Sequence, residues 1–382
     1  MRVLLAHADL GAQGGAEAYA RAIAARLRRD GHRVGLLDIN GHLTPEGTRN
    51  LPPPLGLWAR MPLPRRPHLM NWALVCRALP GVAAAYDRAI LTYGEGPALP
   101  CPALRLLHAP ALFSDRAEAL SYLGAPSTGP RLALRQAHAR LCRRIARPCN
   151  ESAPHDLTIA NSRWTATEAA RLGTGTVDAV LYPPFAPLPR PAGAGRDPFL
   201  FAAIGRLVPN KRFDEIIHIV SLLRRRGLPA RLHVMGRGGG GFARRLRRRA
   251  RRLPFVTITM DATPPQLAEL LHRAAFGIHA CRHEHFGIAV AEMIKAGCLP
   301  FVHDGGGVRE LVPDRELRFA DATEAAARIE HLVFRGRPGR MAKLRALQAG
   351  PALGAALNFD GHLAPLLAQF LDQGEGAGRA AA

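Results

Sequence analysis

The chain has 382 residues, is 48% hydrophobic and 6% aromatic, and carries a formal net charge of +22 at neutral pH. That length exceeds what one growing core accommodates, so two domains are expected, and the apolar content excludes global disorder. No uncharged apolar stretch reaches the roughly 18 residues of a membrane-spanning helix.

The opening, Met1-Arg-Val-Leu-Leu-Ala-His7, has too short an apolar run for a secretory leader and reads as a first strand. The turn Gly11-Ala-Gln-Gly14-Gly15-Ala-Glu17 leads into a helical pattern from Ala16 to Arg29, stopped by Asp30-Gly31, before a second strand from Arg33 to Leu37. A strand, glycine-rich loop, helix and strand in this order build a parallel, doubly wound sheet. Gly15 lacks a Cβ, so backbone amides there can approach a phosphate closely; a plain tight turn is the alternative. The segment from Asn40 to Trp72 breaks the rhythm. It sets Leu55, Trp58, Met61, Leu69 and Trp72 among Arg60, Arg65, Arg66 and several prolines. It reads either as a proline-stiffened loop capping the sheet or as an interfacial patch, with aromatics at headgroup level and arginines on anionic lipid.

Strands return at Ala89–Thr92, at Leu104–His108 and from Leu157 towards Asn161-Ser162. Six cysteines are scattered without a C-x-x-C pair, as expected of reduced thiols in a cytosolic protein. His138, Cys142, Cys149 and His155 fit no standard zinc spacing, and no metal is expected. The stretch Tyr182–Pro198 is so rich in proline and glycine that few elements can cross it. The expected domains are 1–186 and 199–348 with a linker at 187–198. A helical segment at 349–373 packs back on the first domain, and a tail occupies 374–382.

The second half repeats the alternation, with strands at Phe199–Ile204, Ala230–Met235, Val256–Met260, Phe276–Ala280 and Leu299–His303. Arg206 and Lys211 lie just past the first of these, where open α/β sheets place ligands. A guanidinium fork and a point charge together suit a diphosphate. Met235-Gly236-Arg-Gly238-Gly-Gly-Gly241 formally satisfies G-x-G-x-x-G, with Asp261 following, but it comes too late for a first dinucleotide-binding unit. An NAD(P)-dependent oxidoreductase is therefore only a remote alternative. The run Arg237–Arg252 holds eight arginines and no acid. It reads as a solvated helix face or as a contact for an anionic membrane surface, where each basic residue contributes roughly 1 kcal/mol. Nucleic acid comes third, for want of a motif and of aromatics.

Glu284 and Glu292 bracket Phe286-Gly287-Ile288 at the start of an apolar helix pattern. Eight helical steps would leave the two carboxylates about 80° apart, so Glu284 belongs in the preceding loop with the helix starting near Gly287. The amides around Phe286, Gly287 and Ile288 then face an anion at the positive helix end. Ala352–Phe370 reads as a further helical segment that Pro365 can kink.

Glu284-His-Phe-Gly-Ile-Ala-Val-Ala-Glu292, with Gly205-Arg206-Leu-Val-Pro-Asn-Lys211 before it and Asp304-Gly-Gly306-Gly after it, resembles the retaining nucleotide-sugar glycosyltransferases of family 4. The resemblance implies a GT-B architecture, two doubly wound Rossmann-like domains facing each other across a cleft. It also implies roles. Arg206 and Lys211 offset charge on the departing nucleotide, Glu284 contacts sugar hydroxyls, and Glu292 contacts the nucleotide ribose. Gly15 and Gly236 lie near the donor, and His108 lies beside the reacting sugar. A hexose would pass from a nucleotide-diphosphate sugar, GDP-mannose or a UDP-hexose, to a lipid-linked or membrane-associated glycan. No metal or other cofactor would be needed. The protein would be cytoplasmic, peripheral on the inner face of the membrane. A catalytically silent membrane-bound scaffold is the alternative of a different class.

Overall fold

In a computed structural model the chain is described for residues 1–12, 14–53, 55–56, 68–124, 128–149, 153, 155–185, 188–189 and 195–372. It divides into two compact units, Met1–Pro184 with Ala355–Ala382, and Phe185–Gly354.

The first unit holds an eight-stranded sheet. Its strands are β1 (Arg2–Ala6), β2 (Arg33–Asp38), β3 (Gly41–Leu43), β4 (Arg49–Asn50), β5 (Arg88–Leu91), β6 (Ala103–Leu107), β7 (Leu157–Ala160) and β8 (Ala179–Val180). The order is β4-β3-β2-β1-β5-β6-β7-β8. β1 pairs in parallel with both β2 and β5, while β3 and β4 add antiparallel edges. Successive side chains on a strand point to opposite faces. Leu4 and Ala6 accordingly join one buried cluster with Trp72, Val75 and Leu79, and Val3 and Leu5 join another with Tyr19, Ile23 and Leu27. Burial on both faces is why these strands read as continuous apolar runs.

The second cluster also takes Phe359, Leu363, Leu367 and Phe370 from the helix Phe359–Asp372. Arg88 fixes that helix's end by donating from Nη2 to the Leu371 carbonyl at 3.1 Å. The C-terminal helical segment breaks at Asn358, and Pro365 lies inside a continuous helix rather than at the break.

The second unit has a six-stranded, wholly parallel sheet in the order β11-β10-β9-β12-β13-β14. Its strands are β9 (Asp197–Arg206), β10 (Arg231–Arg237), β11 (Val256–Met260), β12 (Ala274–His279), β13 (Leu299–His303) and β14 (Arg318–Phe319). Strand order reverses at β1 in the first unit and at β9 in the second. Ligands of doubly wound sheets sit at the carboxyl ends of such strands. The glycine-rich turn before Gly15 follows β1, and Arg206 is the last residue of β9.

The interfacial patch is corrected at the residues that can be seen. Trp72 is fully buried and its indole N–H donates to the Glu95 carbonyl at 2.8 Å. Leu55 is buried too, and Leu69 packs against the same core. The reason is the helix His68–Ala83, which lays Met70, Trp72, Val75 and Leu79 on the sheet. Trp58, Arg60, Met61, Arg65 and Arg66 lie outside the described residues, as do parts of the proline-rich stretch at 186–187 and 190–194 and the tail beyond 372.

Candidate functional site

In the second unit the site is built on two strand ends. β9 ends at Arg206, the chain turns through Leu207, whose N–H donates to the Arg237 carbonyl at 2.7 Å, and a 3-10 turn over Pro209–Lys211 brings Lys211 inward. Arg206 is exposed, and its side chain makes no hydrogen bond or ion pair among the described residues. Gly236 on β10 has a steric reason to be glycine. A Cβ there would lie 2.5 Å from Leu207 Cδ2 and 2.6 Å from the Gly205 carbonyl oxygen. The G-x-G-x-x-G lookalike thus begins inside β10 and runs past its end, one strand away from the switch strand.

Glu284 stands in the loop after β12, and the helix Ile288–Ala296 begins behind it with Gly287 as N-cap at φ 104°. That left-handed conformation favours glycine. The loop is clamped from outside. The Gly307 N–H donates to the Glu284 carbonyl at 2.7 Å, and a Cβ on Gly306, at φ 75°, would approach that carbonyl oxygen to 2.4 Å. The Lys211 ammonium donates to Oε2 of Glu284, and His279 Nε2 meets the same oxygen at 2.8 Å. Burial by itself would raise the Glu284 carboxyl, but Lys211 and then His279 outweigh it and hold it well below the usual carboxylate range. Lys211 is correspondingly raised, burial being overcome by Glu284.

His279, Cys281 and Glu284 bring three potential metal-ligand atoms within 4.8 Å of one another. The donor set suits a metal poorly, because the Lys211 ammonium already occupies the carboxylate. Phe286 is buried, while Ile288 opens the helix. Glu292 lies further along that helix without a hydrogen bond or ion pair among the described residues, and burial pushes it up to about 7.

In the first unit Gly15 opens the helix Gly15–Arg29 and is exposed. His108 follows β6 and directs Nε2 at the Thr92 carbonyl, 3.0 Å away, which assigns the proton to Nε2. The same carbonyl meets Nδ1 of the fully buried His7 at 3.1 Å, and His7 Nε2 lies 3.6 Å from Glu17. Expected site residues therefore form two groups, described separately: Arg206, Lys211, Gly236, Glu284, Phe286, Gly287, Ile288 and Glu292 in the second unit, and Gly15 and His108 in the first. Among them, Lys211 and Glu284 are joined directly by a side-chain hydrogen bond. His279, Cys281, His7 and Thr92 escaped the reading of the sequence. The available signal was a polar residue closing an apolar strand, as His279 closes Ala274–His279. The arginines of the helix Gly241–Ala250 lie on its exposed side, opposite buried Ala243, Leu246 and Ala250.

Residues 188–335 match the profile of the glycosyl transferases group 1 family. Among curated proteins, the chain is 40% identical over 52 residues to the GDP-Man:Man(3)GlcNAc(2)-PP-Dol alpha-1,2-mannosyltransferase of Yarrowia lipolytica. That match covers 14% of this chain and only 8% of the relative's length. Among solved structures, sucrose-phosphate synthase from Thermosynechococcus elongatus superposes with a TM-score of 0.67 at 16% identity, covering 96% of this chain and 99% of that one. Anabaena Alr3699/HepE, in complex with UDP and glucose, gives a TM-score of 0.60 at 17% identity, with coverages of 96% and 99%. Residues 188–335 thus form a domain matching the glycosyl transferases group 1 family, and the chain has the GT-B fold.

Proposed function

We propose that this protein is a retaining glycosyltransferase that moves a hexose from a nucleotide-diphosphate sugar to a lipid-linked or membrane-associated glycan at the cytoplasmic face of a membrane. The observation that carries the reading is the Lys211–Glu284–His279 cluster beside the carboxyl end of the switch strand β9. Lys211 and His279 both meet Oε2 of Glu284, so Oε1 is the oxygen assigned to a sugar hydroxyl. Exposed Arg206 supplies a guanidinium for the diphosphate, and Lys211 adds a fixed positive charge nearby. The first-turn amides after Gly287 add the positive end of a helix. These groups offset the charge that grows on the leaving diphosphate, so the reading requires no metal. Glu292 is assigned to the nucleotide ribose, Gly15 to the donor diphosphate and His108 to the reacting sugar.

The lipid-linked acceptor rests on the lipid-linked substrate named for the mannosyltransferase relatives and on the arginine excess. The test is to incubate purified protein with GDP-mannose and UDP-glucose in the presence of a chelator, following nucleotide release and the anomeric proton of the product by NMR. Release of nucleotide with a product of the donor's own anomeric configuration supports the reading. An inverted product, or release only when a divalent ion is restored, contradicts the corresponding part of it.

A further inference from the structure

A cavity of about 690 Å³ lies in the first unit beside the loops that follow β5 and β6, and neither Gly15 nor His108 lines it. Its wall carries five arginines, Arg116, Arg140, Arg143, Arg144 and Arg147, against two acids, Asp115 and Glu95. Glu95 is turned inward: its two oxygens accept the Leu112 and Phe113 N–H groups at 3.0 and 3.1 Å. Asp115 stands 3.8 Å from Arg140 and 3.7 Å from Arg143, while Arg144 and Arg147 make no ion pair among the described residues. Four of the arginines follow at i, i+3, i+4 and i+7 along the helix Pro130–Ala146 and its C-cap, which aligns them on one face. Like charges at this spacing repel one another. A helix C-terminus favours cations in its last turn, which accounts for part of the cluster. It does not account for Arg147, which caps the helix at φ 49°, a left-handed conformation where glycine would be unstrained.

We infer that this basin binds the phosphate or diphosphate ester of the acceptor, a proposal that rests on the glycosyltransferase reading above. Guanidinium forks match phosphate oxygens in pairs, and a concave wall concentrates charge on one discrete anion. A lone phosphate fills a small part of the volume, leaving room for the sugar or chain attached to it.

The experiment is calorimetric titration of inorganic pyrophosphate into the full chain, into an Arg206→Ala/Lys211→Ala variant, and into an Arg144→Gln/Arg147→Gln variant whose melting curve verifies folding. The expected result is a site that survives in the first variant, weakens tenfold or more in the second, and weakens as salt rises. Loss of all binding in Arg206→Ala/Lys211→Ala, or undiminished binding in Arg144→Gln/Arg147→Gln, overturns the proposal. Competition by vesicles containing phosphatidic acid identifies the ester as lipid-borne; unimpaired pyrophosphate binding beside such vesicles identifies a soluble one. Vesicle binding without any pyrophosphate binding means a diffuse membrane contact and overturns the basin. Nucleotide release from the donor is measured separately, so failure of the glycosyltransferase reading is not confused with failure of the basin.

Discussion

Lys211 and Glu284 lie 73 residues apart in the sequence and form a largely buried ion pair, with His279 on the same carboxylate oxygen. The pairing follows from topology. β9 and β12 are neighbours in the sheet, so the turn after one and the loop after the other open side by side at their carboxyl ends. Removing one partner of such a pair strands the other charge. Lys211→Ala should therefore lower the melting temperature of the second unit by an amount corresponding to about 1–3 kcal/mol, and Lys211→Ala/Glu284→Gln should recover part of that loss. Differential scanning calorimetry of the single and double variants checks this.

Glu292 yields a pH prediction. Burial pushes its carboxyl up to about 7, above its ordinary value, so the folded state favours the protonated form. Stability from this group is present at pH below the ordinary carboxylate value and is lost as pH rises towards and through 7. The loss amounts to at most about 3 kcal/mol, reduced by the part of the side chain that reaches solvent. Glu292→Gln should melt increasingly above wild type between pH 5 and pH 8. Parallel melting curves across that range would show that Glu292 titrates normally.

Gly306 has two reasons to remain glycine, its positive φ and the Glu284 carbonyl beside it. Gly306→Ala should destabilise the second unit by about 1–3 kcal/mol and displace the Glu284 loop, weakening nucleotide-sugar binding in a thermal-shift titration. An alanine variant with wild-type melting and binding would mean the loop does not depend on this contact.

Trp72→Phe should reduce stability by about 1–3 kcal/mol, because a buried indole hydrogen bond to Glu95 is lost. Cosedimentation with anionic vesicles should be unchanged, since the ring is buried.

Much of the fold was legible because parallel strands buried on both faces are continuous apolar runs; β11 and β13 fall at their expected bounds. The Glu284 loop and the helix start at Gly287 followed from helical geometry. The antiparallel pair β3 and β4 was missed because Gly41–Asn50 carries almost no apolar alternation. Trp72 was misjudged because an aromatic residue near arginines looks the same in sequence whether it faces a sheet or solvent. The interruption of the C-terminal helical segment was the third feature missed. The helix breaks at Asn358, while Pro365 is tolerated in a helix held by Leu363, Leu367 and Phe370. The role of His279 needed three dimensions, because its partner comes from the next loop rather than its own strand.

The central claim is that Lys211 and Glu284 act on a nucleotide sugar, and turnover of donor tests it most directly. Nucleotide release from the preferred donor should fall by about 10²–10³ in Lys211→Ala, the usual effect of removing one preorganised charge-stabilising donor. It should also fall in Glu284→Gln, with both variants folded by circular dichroism. Release at the wild-type rate in either folded variant would contradict the claim.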